Sequence, residues 1–499
     1  MPAKRSLSAA LALLLVAAIP ARAASVPTIR VVDTINPGPG SSSPINTYRS
    51  AALGDYLYFS ATDGPHGYEL WRTNGTTTQM VIDLNAAIGA SSYPTNLTAF
   101  NGYIYFSADN GAIGDALWRT NGAITELVLD INPTDDGLLL DDSGPYGFTP
   151  LGDFLYFSAN NGHGRELWRT DGTTGGTTLV FDINTQAFGG FDSSSPDNFT
   201  VLGSYLYFSA NDGIHGDELW RTNGEIGGTT LVRDINTADS GTGYSWPQMF
   251  TAFGDHLYFR ANSDTHAGEL WRSDGSTLGT TRITDAYYPN DFTAFGEYLY
   301  FEAQTDADGY ELWRTDGTEA GTVQFLDING GSADSYPYNF TVVGSFLYFH
   351  ATDSAHGKEL WRTNGATTAL VYDIISGAND ADPDEFTAFG DWLYFSAETA
   401  AHGGAELWRS NGTTTEKVPF SLASQTMNGD DYGPKLLIAG GRLYMSAFSD
   451  LTGAEFAYLD ESLPPTNGDG GGWTATLVIL TGLTAAAGIG LRLRGAKRA

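Results

Sequence analysis

The chain has 499 residues, no Cys, and 25 Lys and Arg against 58 Asp and Glu, a net charge of −33. Without Cys there are no disulfide staples, no Cys-held zinc and no thiol nucleophile, and this much negative charge excludes a nucleic-acid partner with its phosphate backbone. Aromatic residues at 13% and 61 Gly exclude a disordered chain and suit a sheet protein rich in turns.

Residues 1–23 carry the pattern of a secretory signal peptide: Lys4 and Arg5, the apolar stretch Leu11 to Ile19, then Ala21-Arg22-Ala23. The expectation is an exported protein at the cell surface or outside the cell. A lone strand-like segment follows at residues 29–36, Ile29-Arg30-Val31-Val32-Asp33-Thr34-Ile35-Asn36.

From about residue 50 one phrase dominates. Glu-Leu-Trp-Arg-Thr before Asn-Gly or Asp-Gly recurs with small departures and places Trp71, Trp118, Trp168, Trp220, Trp271, Trp313, Trp361 and Trp408 at intervals of 47, 50, 52, 51, 42, 48 and 47. Upstream of each lies a Leu-Tyr-Phe-x-Ala phrase, as at Leu57-Tyr58-Phe59, and downstream an apolar run that often ends in Asp-Ile-Asn, as at Asp182-Ile183-Asn184. Each unit reads as four short strands, for example Phe292 to Phe295, Tyr298 to Ala303, Tyr310 to Thr315 and Thr322 to Asp327. Aromatic and branched residues favour strands, and Asp-Gly or Asn-Gly between apolar runs marks a tight hairpin. Four strands per unit of roughly 40–50 residues is the period of propeller blades.

The last unit has a second strand, Leu443 to Ala447, and a degenerate third, Glu455 to Tyr458, but no fourth. Segment 29–36 is a fourth strand with no unit of its own, so the two ends complement each other. The expected fold is all-β: a β-propeller of four-stranded blades over residues 24–462, with nine repeat units and the N-terminal strand closing the last blade. An eight-bladed ring with the ninth unit packed outside is the second reading.

In the third strand Glu and Trp share one face and Leu and Arg the other. Trp and Leu are therefore expected between blades. The Arg series, Arg72, Arg119, Arg169, Arg221, Arg272, Arg314, Arg362 and Arg409, is expected to pair with a Glu or a backbone carbonyl of the adjacent unit. Six His, at 66, 163, 215, 266, 356 and 402, fall in equivalent turns, too dispersed to ligate one metal. No cofactor is expected, with calcium the one candidate: Asp135-Asp136, Asp141-Asp142, Asp306-Ala307-Asp308 and Asp380 to Glu385 are oxygen-rich turns.

The longest connections, Pro133–Gly147, Thr185–Asn198 and Thr237–Met249, follow fourth strands and belong to one rim. Phe188, Phe191, Tyr244 and Trp246 within them are candidate contacts for an extracellular protein or glycan. No catalytic motif occurs. The expected function is a non-enzymatic, exported propeller scaffold for binding at the cell envelope. A propeller enzyme acting on extracellular glycans and a structural coat protein are the alternatives. An enzyme would betray itself by unmatched polar residues at the channel mouth, where the repeat breaks.

A Pro/Gly linker spans residues 463–472, and an uncharged stretch then runs to Leu491 before Arg492, Arg494, Lys497 and Arg498. Residues 473–499 are therefore expected to form a single transmembrane anchor or sorting tail with a basic cytoplasmic end. The Gly470-Gly471-Gly472 run before it resembles bacterial C-terminal sorting signals of the GlyGly type. The repeat itself resembles the ELWxxDGT repeat, also called hyalin-like, of bacterial surface and secreted proteins. That resemblance implies export and a repeat scaffold, and implies no reaction.

Overall fold

A computed structural model describes residues 28–31, 35, 50–133, 143–185, 193–237, 243–305, 307–399, 405–418, 436–449 and 453–460. The expected signal peptide, linker and C-terminal tail lie outside these residues, as do Phe188, Phe191 and the turn at residues 135–142. Among the described residues no helix is long and apolar enough to cross a membrane.

The described chain is all-β and β-propeller-like, built from four-stranded antiparallel meanders. Unit 1 is typical, with strands Ser50–Leu53, Tyr56–Thr62, Tyr68–Thr73 and Thr78–Ile82 hydrogen-bonded in chain order. Units 2, 3 and 4 repeat it over residues 95–129, 146–181 and 197–233, and units 7 and 8 over 338–372 and 384–417. Units 5 and 6 are fused into one seven-stranded sheet, because strand Thr281–Phe295 ends one unit and begins the next without a break. Unit 9 takes three strands from residues 436–460, and its fourth strand is Thr28–Val31, paired antiparallel with register Ile29 to Leu459 and Val31 to Ala457.

Side-chain alternation decides how the sheets pack. Cross-strand pairs place Tyr58 opposite Arg72 and Phe59 opposite Trp71. Tyr58 and Leu70 face the following unit, where they meet Ile104, Phe106, Ala108 and Trp118. Leu57, Phe59, Ala61 and Trp71 face the preceding one. The same cluster recurs at each step from unit to unit, as with Tyr207 and Leu219 against Leu257, Phe259 and Trp271. Burying a Leu or Phe side chain contributes roughly 2–3 kcal/mol, so most of the stability lies between sheets. The series returns to its start: Tyr444 and Tyr458 of unit 9, with Ile35, pack on Leu57 and Phe59 of unit 1. First strands touch their neighbours in order, and the first strand of unit 9 touches that of unit 1.

Candidate functional site

Each meander has two ends. The lower end holds the Gly turns between first and second strands and the Asn-Gly or Asp-Gly turns between third and fourth. The upper end holds the second-to-third turns and the long connections into the next unit.

The repeated residues are mostly glue. The Trp series lies between sheets, with Trp118, Trp220, Trp271 and Trp313 buried and Trp71, Trp168, Trp361 and Trp408 half-buried. The Arg series works at the lower end. Seven of its guanidinium groups stack 3.9 to 4.6 Å over the ring that precedes Leu-Tyr-Phe in their own unit, as Arg72 does on Tyr56. In unit 5 that position is His256. Where an Arg reaches the next unit, it donates to the carbonyl of the turn Gly: Arg169 to Gly224 at 2.8 Å, Arg314 to Gly365 at 3.1 Å, and Arg272 to Gly317. Of the two expected partners the carbonyl is the one found. Arg119 and Arg409 instead pair within their own units, with Glu126 and Glu416.

The repeated Glu has a different task at the upper end. Glu166 accepts from Ile183 N and Ser194 N at 3.1 and 2.9 Å and from the Ser194 hydroxyl at 2.5 Å. Glu69, Glu218 and Glu311 make the same clasp with Ser92, Ser245 and Ser335. This single carboxyl ties the Asp-Ile-Asn segment to the start of the next unit. Burial dominates its titration: Glu166 and Glu359 are pushed up to about 7 and Glu218 to about 8, against the lowering effect of their hydrogen bonds. In unit 5 the Ser position is Tyr287, and Arg282 lies 2.9 Å from Glu269.

The His turns are turn chemistry. His66, His215 and His356 lie 2.7 to 2.8 Å from Asp63, Asp212 and Asp353, which also cap the turn backbone. Among the described residues no three His, Asp or Glu side chains converge on a metal position. In the acidic turn Asp380 to Glu385, Asp380 accepts from Lys358 N, Asp382 pairs with Lys358 Nζ and Asp384 accepts from Asn339.

Departures from the repeat gather at the upper end of the second strands. The x of Leu-Tyr-Phe-x-Ala is Ser60, Ser107, Ser158, Ser209, Ser396 and Ser446 in six units. In units 5, 6 and 7, which are consecutive, it is Arg260, Glu302 and His350. Their cross-strand partners on the first strands are Gln248, Asn290 and Tyr338. First strands of neighbouring units touch, and those of units 2 to 5 line a cavity of about 440 Å³ with Tyr146, Asp197 and Phe250.

Each member of this cluster is held. Arg260 donates to Gln248 at 2.8 Å. His350 lies under Tyr338, ring centres 6.1 Å apart and stacked, with Phe386 edge-on at 6.3 Å. Its Nδ1 donates to the Pro383 carbonyl at 2.7 Å, which leaves Nε2 as the ring's lone-pair nitrogen. Burial holds His350 below its ordinary value and so keeps it neutral. Burial pushes Glu302 the other way, up to about 7, with the Asp291 and Asp334 charges adding to it. Asp291 is raised to about 6 by burial while its Oδ2 accepts from Phe340 N of the next unit at 3.0 Å. Asn290 bonds Glu302 on one side, and its Oδ1 is buried with no partner in the protein.

Above the cluster stands a second series that the sequence reading did not isolate. Every described first strand from unit 2 to unit 8 begins with a residue at positive φ, then Pro, then a second positive φ two residues later, as in Tyr336 (φ 44), Pro337, Tyr338, Asn339 (φ 61). The residue before Pro is Tyr93, Gly144, Ser195, Trp246, Tyr288, Tyr336 and Asp382 in turn. Trp246 and Tyr244, both expected as rim contacts, are half exposed and pack on each other at 5.7 Å.

No family model matches the chain and no curated protein matches it. Solved structures do: a puromycin hydrolase mutant complexed with PGG (13% identity, 71% of this chain, 59% of that one, TM-score 0.39) and a prolyl endopeptidase (12% identity, 78% and 60%, TM-score 0.39). A puromycin-hydrolyzing peptidase of Mycobacterium tuberculosis is similar at 11% identity over 74% of this chain and 61% of that one, TM-score 0.37. This chain therefore spans about 60% of their length. These are peptidases, not binding or coat proteins, and the expectation of a non-enzymatic surface scaffold is corrected accordingly. At this level of similarity their reaction is not carried over.

Proposed function

We propose that the chain forms a closed nine-bladed β-propeller whose channel mouth, at units 5 to 7, is an acid–base catalytic centre. The closure is supported by the unit 9 contacts with unit 1 and by Arg442, which donates to the Asn74 carbonyl of unit 1 at 2.8 Å. The observation that carries the catalytic reading is the replacement of the repeat's Ser by Arg260, Glu302 and His350 in three consecutive blades. Environments that push two titratable groups in opposite directions assign an acid and a base. His350 is the base: Nε2 takes a proton from an attacking water as its oxygen bonds the substrate's electrophilic carbon. Glu302 is the acid and gives its proton to the leaving oxygen or nitrogen as its bond to that carbon breaks. Arg260 supplies positive charge beside the developing oxyanion, and Asn290 Oδ1 accepts from a substrate donor.

The test is a screen of the purified protein against chromogenic esters, glycosides and aminoacyl anilides, with His350→Gln and Glu302→Gln beside the parent. Turnover that falls by about 100-fold or more in both variants at unchanged melting temperature supports the assignment. Turnover that survives both substitutions, or none on any of the three classes, defeats it.

A further inference from the structure

The exposed aromatic residues before Pro in units 5, 6 and 7, Trp246, Tyr288 and Tyr336, occupy equivalent places on the upper rim, directly above the blades that carry Arg260, Glu302 and His350. Their φ angles are 43, 52 and 44°, in a region that bulky side chains avoid. Units 3, 4 and 8 meet the same backbone demand with Gly144, Ser195 and Asp382, so the turn itself does not ask for a ring. Nor does burial explain the rings, which are 54, 41 and 47% exposed. Each is nevertheless fixed in place. The Trp246 indole N–H donates to Asp217 at 3.1 Å. Tyr336 stacks on Tyr310 at 5.3 Å. Tyr288 packs against Gly268, where a Cβ would come within 2.6 Å of its ring. Strained, exposed and immobilised aromatic faces are the marks of a stacking platform.

Two chemistries stack on such faces, bases and sugar rings. A net charge of −33 repels phosphates. The carboxyl groups of Asp291, Glu302 and Asp334, near one another on units 5 to 7, hydrogen-bond hydroxyls. We propose that Trp246, Tyr288 and Tyr336 form a binding track for an uncharged glycan chain, which lays successive sugar rings across units 5 to 7 and delivers one to the channel mouth. This rests on the catalytic reading for the fate of the sugar but not for its binding.

The experiment is titration of the full-length protein with cellohexaose, xylohexaose and mannohexaose, followed by calorimetry and by Trp fluorescence. At least one is expected to bind, and Trp246→Ala and Tyr336→Ala are each expected to weaken it about tenfold or more. Trp246→Phe should restore most of the affinity. Tyr93→Ala, which alters an equivalent ring in unit 2, should leave it unchanged. No binding by any of the three sugars, or an equal loss in Tyr93→Ala, overturns the proposal. Binding without turnover would remove the catalytic centre and leave the track standing.

Discussion

Single side chains do unusually separate jobs in this repeat. Glu69, Glu166, Glu218 and Glu311 clasp a loop, the Trp two residues on fills an interface, and the Arg that follows it grips a neighbouring turn at Arg169, Arg272 and Arg314. The clasp has a pH consequence. Glu166, Glu218 and Glu359 are raised from 4.5 to about 7, 8 and 7 by burial, so between these limits the folded chain binds more protons than the unfolded one. Stability therefore falls as pH rises through this window. The melting temperature should rise steadily as pH is lowered from about 8 to about 5. Glu218→Gln should flatten the slope, because Gln pays no charge penalty. A melting temperature that climbs toward pH 8 would contradict this account of the clasp.

At the level of strands and turns, the lower-end hairpin is a docking device. Gly224 has φ 80 and sits so close to unit 3 that a Cβ would lie 2.0 Å from the Tyr156 hydroxyl and 3.2 Å from Arg169 Nη1. Gly122, Gly172 and Gly275 meet the Tyr and Arg of their own preceding units in the same way, and Gly75 meets Arg442 and Tyr444 of unit 9. Gly224→Ala should therefore cost more than the roughly 1–2 kcal/mol of a left-handed residue alone. Urea unfolding would measure it, with Gly203→Ala, which has no atom within 4 Å of its Cβ, as the strain-only control. These turns were legible in the sequence as Asn-Gly and Asp-Gly, and so were the four strands, because period-two patterning and turn chemistry are local. Their docking was not legible, since nothing local says which ring a Gly will approach. The candidate site was half legible. Lining up the Leu-Tyr-Phe-x-Ala phrases exposes Arg260, Glu302 and His350, and the shortest interval, 42 residues between Trp271 and Trp313, marks the fused units 5 and 6. What stayed hidden was the left-handed turn that puts Tyr288 and Tyr336 on show, a backbone property that Tyr-Pro does not announce.

For the whole molecule, the telling contact is the one by which unit 9 meets unit 1. Unit 9 makes it with exchanged residues: Arg442 stands where other units have the stacking ring, and Tyr458 stands where they have the Arg. The guanidinium lies 5.2 Å over the Tyr458 ring and still reaches the Asn74 carbonyl of unit 1. The N-terminal strand completes the sheet and Ile35 sits in the seam, 6% exposed. A chain lacking residues 24–35 would leave Gly453–Asp460 as a bare sheet edge. It is expected to melt at a lower temperature and to run as larger species on size-exclusion chromatography. A variant that stays monomeric with an unchanged melting temperature would show that closure does not depend on this strand.

Thr28 lies opposite Asp460, and in the up-and-down order of the strands both fall at the lower end, away from Trp246 and Glu302. The described strands of unit 9 thus have both of these strand ends at the lower end. A handle fused at either point, whether a fluorophore, a bead or a neighbouring domain, would hold the aromatic face outward, so immobilised protein should keep its full capacity for ligand.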